Sequence, residues 1–268
     1  MQTKSINFAK YSSFKIGGNF DVAILEDDFT AFERYYLIGA CNNILVGNNP
    51  PPLAMLSKKY DYIKIEDNIL KIGGATPSGK IASFCKKHNI ANFEFLSHLP
   101  GKLGGLVYMN AGLKEFEIFN HLLDIRTPSA KIVKEKISYG YRKTDISEAI
   151  LEASFQLDFG FDTKKVEMFK NMRANQPSTP SAGSCFKNPD NDYAGRLIEA
   201  VGLKGLKKGS MSFSDEHANF LVNNGDGKFE DAMYLIKEAQ KRVENEFGIK
   251  LECEIIILDQ EYLNKENG

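Results

Sequence analysis

The strongest periodic signal in the chain is an apolar stripe at three- and four-residue steps: Phe229, Met233, Ile236, Ala239, Val243 and Phe247. It predicts an amphipathic core helix over 228–247, stopped by Gly248. The same spacing predicts a helix opened by Thr76-Pro77, carrying Ile81, Phe84, Cys85 and His88 and stopping at Asn89. On that face His88 reads as a structural histidine. A third helix is capped by Asp162, carries Val166, Phe169 and Met172, and ends before Pro177. A shorter one follows Asp192, with Ala194, Leu197, Ile198 and Val201, closed by Gly202. Residues 28–40, with Phe32, Tyr36 and Leu37, are also read as helical.

Short apolar or alternating runs predict strands between these helices. They fall on either side of the Gly17-Gly18-Asn19 turn, in a hairpin at 62–65 and 69–72 turning at Asp67-Asn68, and at 122–127, 130–136 and 150–157. A last strand is expected over 250–258, where Glu254 would share a face with Ile256 and Leu258. A carboxylate on such a face either points into a cleft or needs a partner. The pattern changes from strand-rich to helix-rich near residue 170, and a domain boundary is placed there. The polar tail from Asp259 is expected to fray.

Bulk composition narrows the function. The chain has 268 residues, 43% apolar and 26% charged, which suits two globular domains with real cores. With 34 basic against 35 acidic residues, a dedicated nucleic-acid binder is not expected. Cys41, Cys85, Cys185 and Cys253 are far apart and form no C-x-x-C pair, so they read as buried thiols rather than a metal site or disulfide framework. No run approaches the roughly 20 apolar residues that span a bilayer, and Met1 to Phe14 has no signal-peptide core. A cytoplasmic protein without membrane or metal partners is expected.

Candidate chemistry gathers in four places. The stretch SAGSCFKNP (181–189), after a proline-rich approach, sets a hydroxyl (Ser184), a cation (Lys187) and an amide (Asn188) behind Gly183; it is either a polar turn or a site. A strand running into Gly47, Asn48, Asn49 and three prolines could offer uncovered main-chain N–H groups to a phosphate, with no helix following directly. The stretch LPGKLGGLVYMNAG (99–112) holds four glycines and a Pro-Gly turn, costly in chain entropy unless something approaches the backbone or a corner packs tightly. No G-x-G-x-x-G occurs, so a Rossmann site is not supported. Arg142, beside Tyr139 and Tyr141, could pair with a carboxylate or simply be solvated. Lys204, Lys207 and Lys208 could hold a diphosphate or face water, and His217 sits at the start of a strand.

Taken together and in order, LPGKLGGLVYMNAG (99–112), GYR (140–142), SAGSCFKNP (181–189) with AGRLIEAVGLKG (194–205), and HANFLVN (217–223) with LECEI (251–255) resemble the UDP-N-acetylenolpyruvoylglucosamine reductase family. The resemblance covers nearly the whole chain. It implies an α+β fold: a two-subdomain FAD-binding module of the PCMH/vanillyl-alcohol-oxidase type over 1–170, divided at about 60, then an α+β substrate-binding domain over 171–268. The final strand of that domain returns to the active site. It implies bound FAD against Gly47, Asn48 and Asn49 and against Pro100, Gly101, Gly104, Gly105, Asn110, Ala111 and Gly112. NADPH is the implied co-substrate. Ser184 is the implied proton donor, Arg142 and Glu254 the implied enolate-stabilising pair, and Asn188, Lys204 and His217 the implied contacts to a UDP-sugar. The short span from Arg142 to Ser184 resembles the subtype that lacks a tyrosine-bearing loop. A monomer is expected. The chain departs from the family pattern in having Asn49 where a Ser is usual and Lys102 where Thr or Ser is usual. The implied function is reduction of UDP-N-acetylglucosamine enolpyruvate to UDP-N-acetylmuramate. The alternatives are another FAD-dependent oxidoreductase of the same fold and a non-catalytic nucleotide-sugar binder.

Overall fold

The hairpin Ile63–Glu66 to Ile69–Gly73 shows how local sequence sets the architecture. Glu66 pairs with Ile69, leaving Asp67 and Asn68 as the turn, both at positive φ (50° and 60°). Two residues that tolerate that region match the right-handed strand twist. The computed structural model to which this hairpin belongs describes residues 2–263.

The chain divides into two units. One comprises the first few residues with Val22–Ala40 and Leu53–Ala174; the other comprises Ser5–Asp21, Cys41–Pro52 and the chain from Asn175. The structure therefore differs from the expected contiguous subdomain over 1–60: residues 5–21 and 41–52 fold with the C-terminal part. The reason is apolar. Phe14, Ile16 and Leu45 are buried in the same core as Phe186, Leu197, Phe213 and Ile236.

In the first unit, five antiparallel strands run in the order Lys131–Val133, Leu122–Arg126, Glu152–Gln156, Ile69–Gly73, Ile63–Glu66. Helices Ser78–Lys87, Leu103–Tyr108 and Thr163–Met172 contribute to the core of this unit, through Ile81, Leu106 and Phe169 among others. A smaller sheet pairs Val22–Leu25 and Tyr36–Leu37 in parallel with Leu53–Leu56. This corrects the helix expected over 28–40. Only the turn Phe32–Arg34 is helical, and Tyr36 and Leu37 join the strand at Leu53 and Ala54 instead.

Thr76 does not cap its helix; its hydroxyl donates to the carbonyl of Tyr62, and the helix begins after Pro77. Asp162 does cap the third helix, accepting from the Lys164 amide at 2.8 Å. The glycine-rich stretch holds a helix, Leu103–Tyr108, that its composition did not announce.

In the second unit, four antiparallel strands run Ser181–Ser184, Phe220–Asn223, Met211–Phe213, Lys207–Lys208. The long helix Phe229–Phe247 shares their core through Ala232, Met233, Leu235, Ile236, Ala239 and Val243, and Gly248 closes it at φ 68°. Ile44–Val46 lies in parallel with Ile256–Leu258. That last strand is shorter than expected: residues 251–255 carry only an isolated bridge at Cys253, so strand alternation does not set the direction of Glu254. Beyond it, Gln260–Leu263 makes one helical turn rather than fraying, while 264–268 lie outside the described residues. Among the described residues no helix is long and apolar enough to cross a membrane, and all four cysteines are free thiols.

Candidate active site

In the second unit the segment 184–187 is held from both sides. On one side, buried Asn219 accepts from the Phe186 amide (3.0 Å) and donates to the Phe186 carbonyl (2.8 Å), while the Cys185 amide donates to the Asn219 carbonyl (2.7 Å). On the other, the Lys187 amide donates to Glu252 and the Glu254 amide to Cys185, both at 2.9 Å. A register shift between Ser181 and Ser184, with Gly183 at φ 82°, breaks the strand just before the serine. Ser184 and Glu254 are both half-buried, and the main chain of Glu254 is tied to Cys185, the residue after Ser184. The neighbouring Cys185 thiol is fully buried; burial first, then the charges of Cys253 and Glu254, push its pKa well up, so it stays protonated.

The three expected substrate contacts all lie in this unit. Asn188 accepts from the Ala194 amide at 3.1 Å, at the start of helix Ala194–Ala200. Lys204 pairs with Glu199 at 3.0 Å. His217 accepts through Nδ1 from the Asn219 amide at 3.2 Å, so the neutral ring carries its proton on Nε2. Burial, and then the nearby Lys204 charge, lower the His217 pKa and favour that neutral form.

The Gly47 loop behaves differently from expectation. The Gly47 amide donates to Leu258 and the Asn49 amide to the Asp259 carboxylate, each at 3.0 Å. Gly47 is needed for close approach: a Cβ there would stand 2.3 Å from Asp259 Oδ2. Two of the loop's amides are thus engaged inside the protein rather than uncovered. The side chain of Asn48 hydrogen-bonds Glu230.

In the first unit, Tyr141-Arg142 forms a two-residue turn between paired Gly140 and Lys143, with Arg142 at φ 57°. Its guanidinium donates to the carbonyls of Gly112 (2.9 Å) and Asn110 (3.4 Å) and lies 4.9 Å from the Tyr141 ring. Asn110 is fully buried, and its side chain is bonded to Glu117, Gly140 and Phe119. Ala111 is buried, and Gly112 admits the tight return of the chain, where a Cβ would meet the Phe116 carbonyl at 2.4 Å. Gly101 packs on Leu106 and Gly104 on the Gly74 carbonyl. Pro100 is exposed. Gly105 has open space: a Cβ there would meet nothing within 4 Å. Lys102 stands at the N-cap of helix Leu103–Tyr108 and makes no capping bond with its side chain. The exposed first turn at Gly105 fits a group that must reach the main chain closely; the Gly47 loop offers less than its sequence suggested.

Sequence reasoning missed Asn219 and Asp259. Asn219 stands out as the polar residue in HANFLVN, and Asp259 as the first acid after an apolar strand, but neither pattern names a partner.

A family profile described as the C-terminal domain of UDP-N-acetylenolpyruvoylglucosamine reductase matches residues 175–258. The chain is 48% identical over 260 residues to the UDP-N-acetylenolpyruvoylglucosamine reductase of Campylobacter jejuni strain RM1221, covering 94% of this chain and 99% of that one. It is 43% identical to that of Helicobacter pylori strain 26695, covering 96% and 100%. The crystal structure of the Thermus caldophilus reductase superposes with a TM-score of 0.82 at 26% identity, covering 96% of this chain and 99% of that one. Fold, site motifs and near-complete coverage agree: the chain belongs to the UDP-N-acetylenolpyruvoylglucosamine reductase family.

Proposed function

We propose that the chain reduces UDP-N-acetylglucosamine enolpyruvate to UDP-N-acetylmuramate, a step in building peptidoglycan precursors, with NADPH as reductant and FAD as bound cofactor. The observation that carries this reading is near-complete coverage of the reductase family at up to 48% identity, and it is supported by the main-chain bond from Glu254 to Cys185, the residue after Ser184. FAD, when bound and reduced, supplies the hydride for the terminal carbon of the enolpyruvyl group.

The protein's residues handle the charge and the proton. Negative charge builds on the carbon next to the substrate carboxylate. The Arg142 guanidinium, fixed by two main-chain carbonyls, suits that carboxylate as its charge grows, and the benefit is largest where water is excluded. Glu254 helps as a neutral acid or a proton-sharing partner, since a bare carboxylate would repel the developing charge. Ser184 then gives its proton to the carbanion. A hydroxyl is a weak acid, but a carbon-centred enolate is a strong base. General-acid assistance of this kind contributes about 10²–10⁴-fold.

Asn188, Lys204 and His217 are proposed to hold the UDP-sugar, with neutral His217 presenting its Nε2 proton as a donor. The cofactor is proposed to be held by main-chain groups of Pro100, Gly101, Gly104, Gly105, Asn110, Ala111 and Gly112 and of the Gly47–Asn49 loop. Within these, Gly105 is the open approach and Asn48 the loop amide not committed to Leu258 or Asp259. Free thiols and a balanced charge suit a cytoplasmic monomer. The test is turnover by the purified holoprotein. NADPH oxidation should depend on UDP-N-acetylglucosamine enolpyruvate and yield a product two hydrogens heavier. NADPH oxidation unaffected by that substrate would refute the reading.

A further inference from the structure

Asn110 and Arg142 close a hydrogen-bonded ring within the first unit. The Asn110 side-chain amide donates to the Gly140 carbonyl at 3.1 Å. Two residues later the Arg142 guanidinium returns to the main-chain carbonyl of Asn110 at 3.4 Å and to that of Gly112 at 2.9 Å. One residue therefore fixes both the hairpin that carries the arginine and the point on which its head rests. The rest of the Asn110 side chain is also committed: Nδ2 donates to Glu117 at 2.8 Å, and Oδ1 accepts from the Phe119 amide at 3.4 Å. The hairpin has a second anchor, Thr144 donating to the Tyr108 carbonyl at 2.6 Å, so its base is held on the same stretch of chain.

The residue type follows from the geometry. Asn110 sits at φ 43°, a region open chiefly to Gly, Asn and Asp. Glycine would meet the backbone requirement without supplying the side chain. Aspartate would supply an acceptor but, when ionised, no donor for Gly140. Asparagine alone satisfies the backbone angle, the two accepting partners and the Phe119 amide together.

From this we propose that Asn110 is a positioning residue for Arg142, and that its side chain acts on the reaction through that guanidinium rather than by touching the cofactor. The proposal rests on the catalytic role assigned to Arg142 above. A guanidinium displaced by about 1 Å loses much of its benefit, on the order of 10²-fold in rate.

The test is a double-mutant cycle on the FAD-loaded protein, read as the single-turnover rate at which UDP-N-acetylglucosamine enolpyruvate reoxidises flavin already reduced by NADPH. Asn110→Gly keeps the backbone angle and the carbonyl and removes only the side chain. It should slow reoxidation about 10–100-fold in the wild-type background and less than about 3-fold in Arg142→Ala, because the two residues act as one device. Equal slowing in both backgrounds overturns the proposal, as does a wild-type rate in Asn110→Gly while Arg142→Ala is slow. A wild-type rate in Arg142→Ala removes the role of Arg142 itself, and this inference with it.

If Asn110→Gly fails to fold, Asn110→Asp takes its place in the cycle. It sets a carboxylate against that of Glu117, and the contact survives only with a shared proton. Its rate should then recover as pH falls, in a way the wild type does not show; a pH profile parallel to wild type overturns the proposal.

Discussion

The main-chain N–H of Glu254 donates to the carbonyl of Cys185 at 2.9 Å, so the main chain of Glu254 is tied to the residue that follows Ser184. Seventy residues of sequence separate Glu254 from Ser184, yet the isolated bridge between Phe186 and Cys253 brings their main chains close. A bare carboxylate at this point would oppose the reaction, so an amide should replace Glu254 better than a truncation does. Glu254→Gln is expected to keep kcat within about tenfold and Glu254→Ala to lose about 10²-fold or more. Steady-state kinetics of both variants checks this; equal losses would contradict a neutral-donor role.

Asn219 predicts a stability effect. Asn219→Ala leaves the buried amide and carbonyl of Phe186 without partners. Each buried unsatisfied group costs about 1–3 kcal/mol, so a total of roughly 2–6 kcal/mol is expected in urea unfolding. Asn219→Asp, which keeps an acceptor for the Phe186 amide, should lose less.

Gly47 predicts a clash. A Cβ at 47 would press on the Asp259 carboxylate, itself buried and bonded to the Asn49 amide. Gly47→Ala should destabilise by about 1–3 kcal/mol, the usual range for overpacking, and lower flavin content on purification. Combining it with Asp259→Ser should restore part of the melting temperature. A Gly47→Ala protein with wild-type stability and flavin content would contradict the tight approach.

The His217 ring predicts a pH effect on stability. Its folded pKa is lowered from 6.5, by burial first, so below that value the unfolded chain binds more protons than the native one. Stability is therefore fully present above about pH 6.5 and falls as pH drops through the folded value. His121 shifts in the same direction and adds to the slope. His217→Gln should flatten, but not abolish, the loss of melting temperature between neutral and mildly acidic pH. An unchanged slope would contradict the half-buried neutral ring.

Much of this was legible in the sequence where one local pattern sufficed. The helix Phe229–Phe247 announced itself by its stripe and by Gly248, and the hairpin at 63–73 by Asp67-Asn68. The motif around Ser184 drew attention through its density of small and polar residues, and its main chain is held by Asn219, Glu252 and Glu254. What was not legible depended on distant partners. Ile44–Val46 pairs with Ile256–Leu258, more than 200 residues away, and nothing in either run names the other. Tyr36 and Leu37 have helical spacing but gain a strand partner at Leu53. The face of Glu254 could not be counted from strand alternation, because the chain bends at residues 254 and 255 and the strand begins only at Ile256. Gly47, Gly104 and Gly112 read as ligand approaches, and the sequence did not show that each also admits a neighbouring part of the same chain.

The assignment of the proton to Ser184 is tested most directly by separating the two half-reactions in Ser184→Ala under anaerobic stopped flow. Bleaching of the flavin by NADPH should proceed within about twofold of wild type. Its recolouring by UDP-N-acetylglucosamine enolpyruvate should slow by about 10²–10⁴-fold. Equal slowing of both halves, or recolouring at the wild-type rate, would contradict the account.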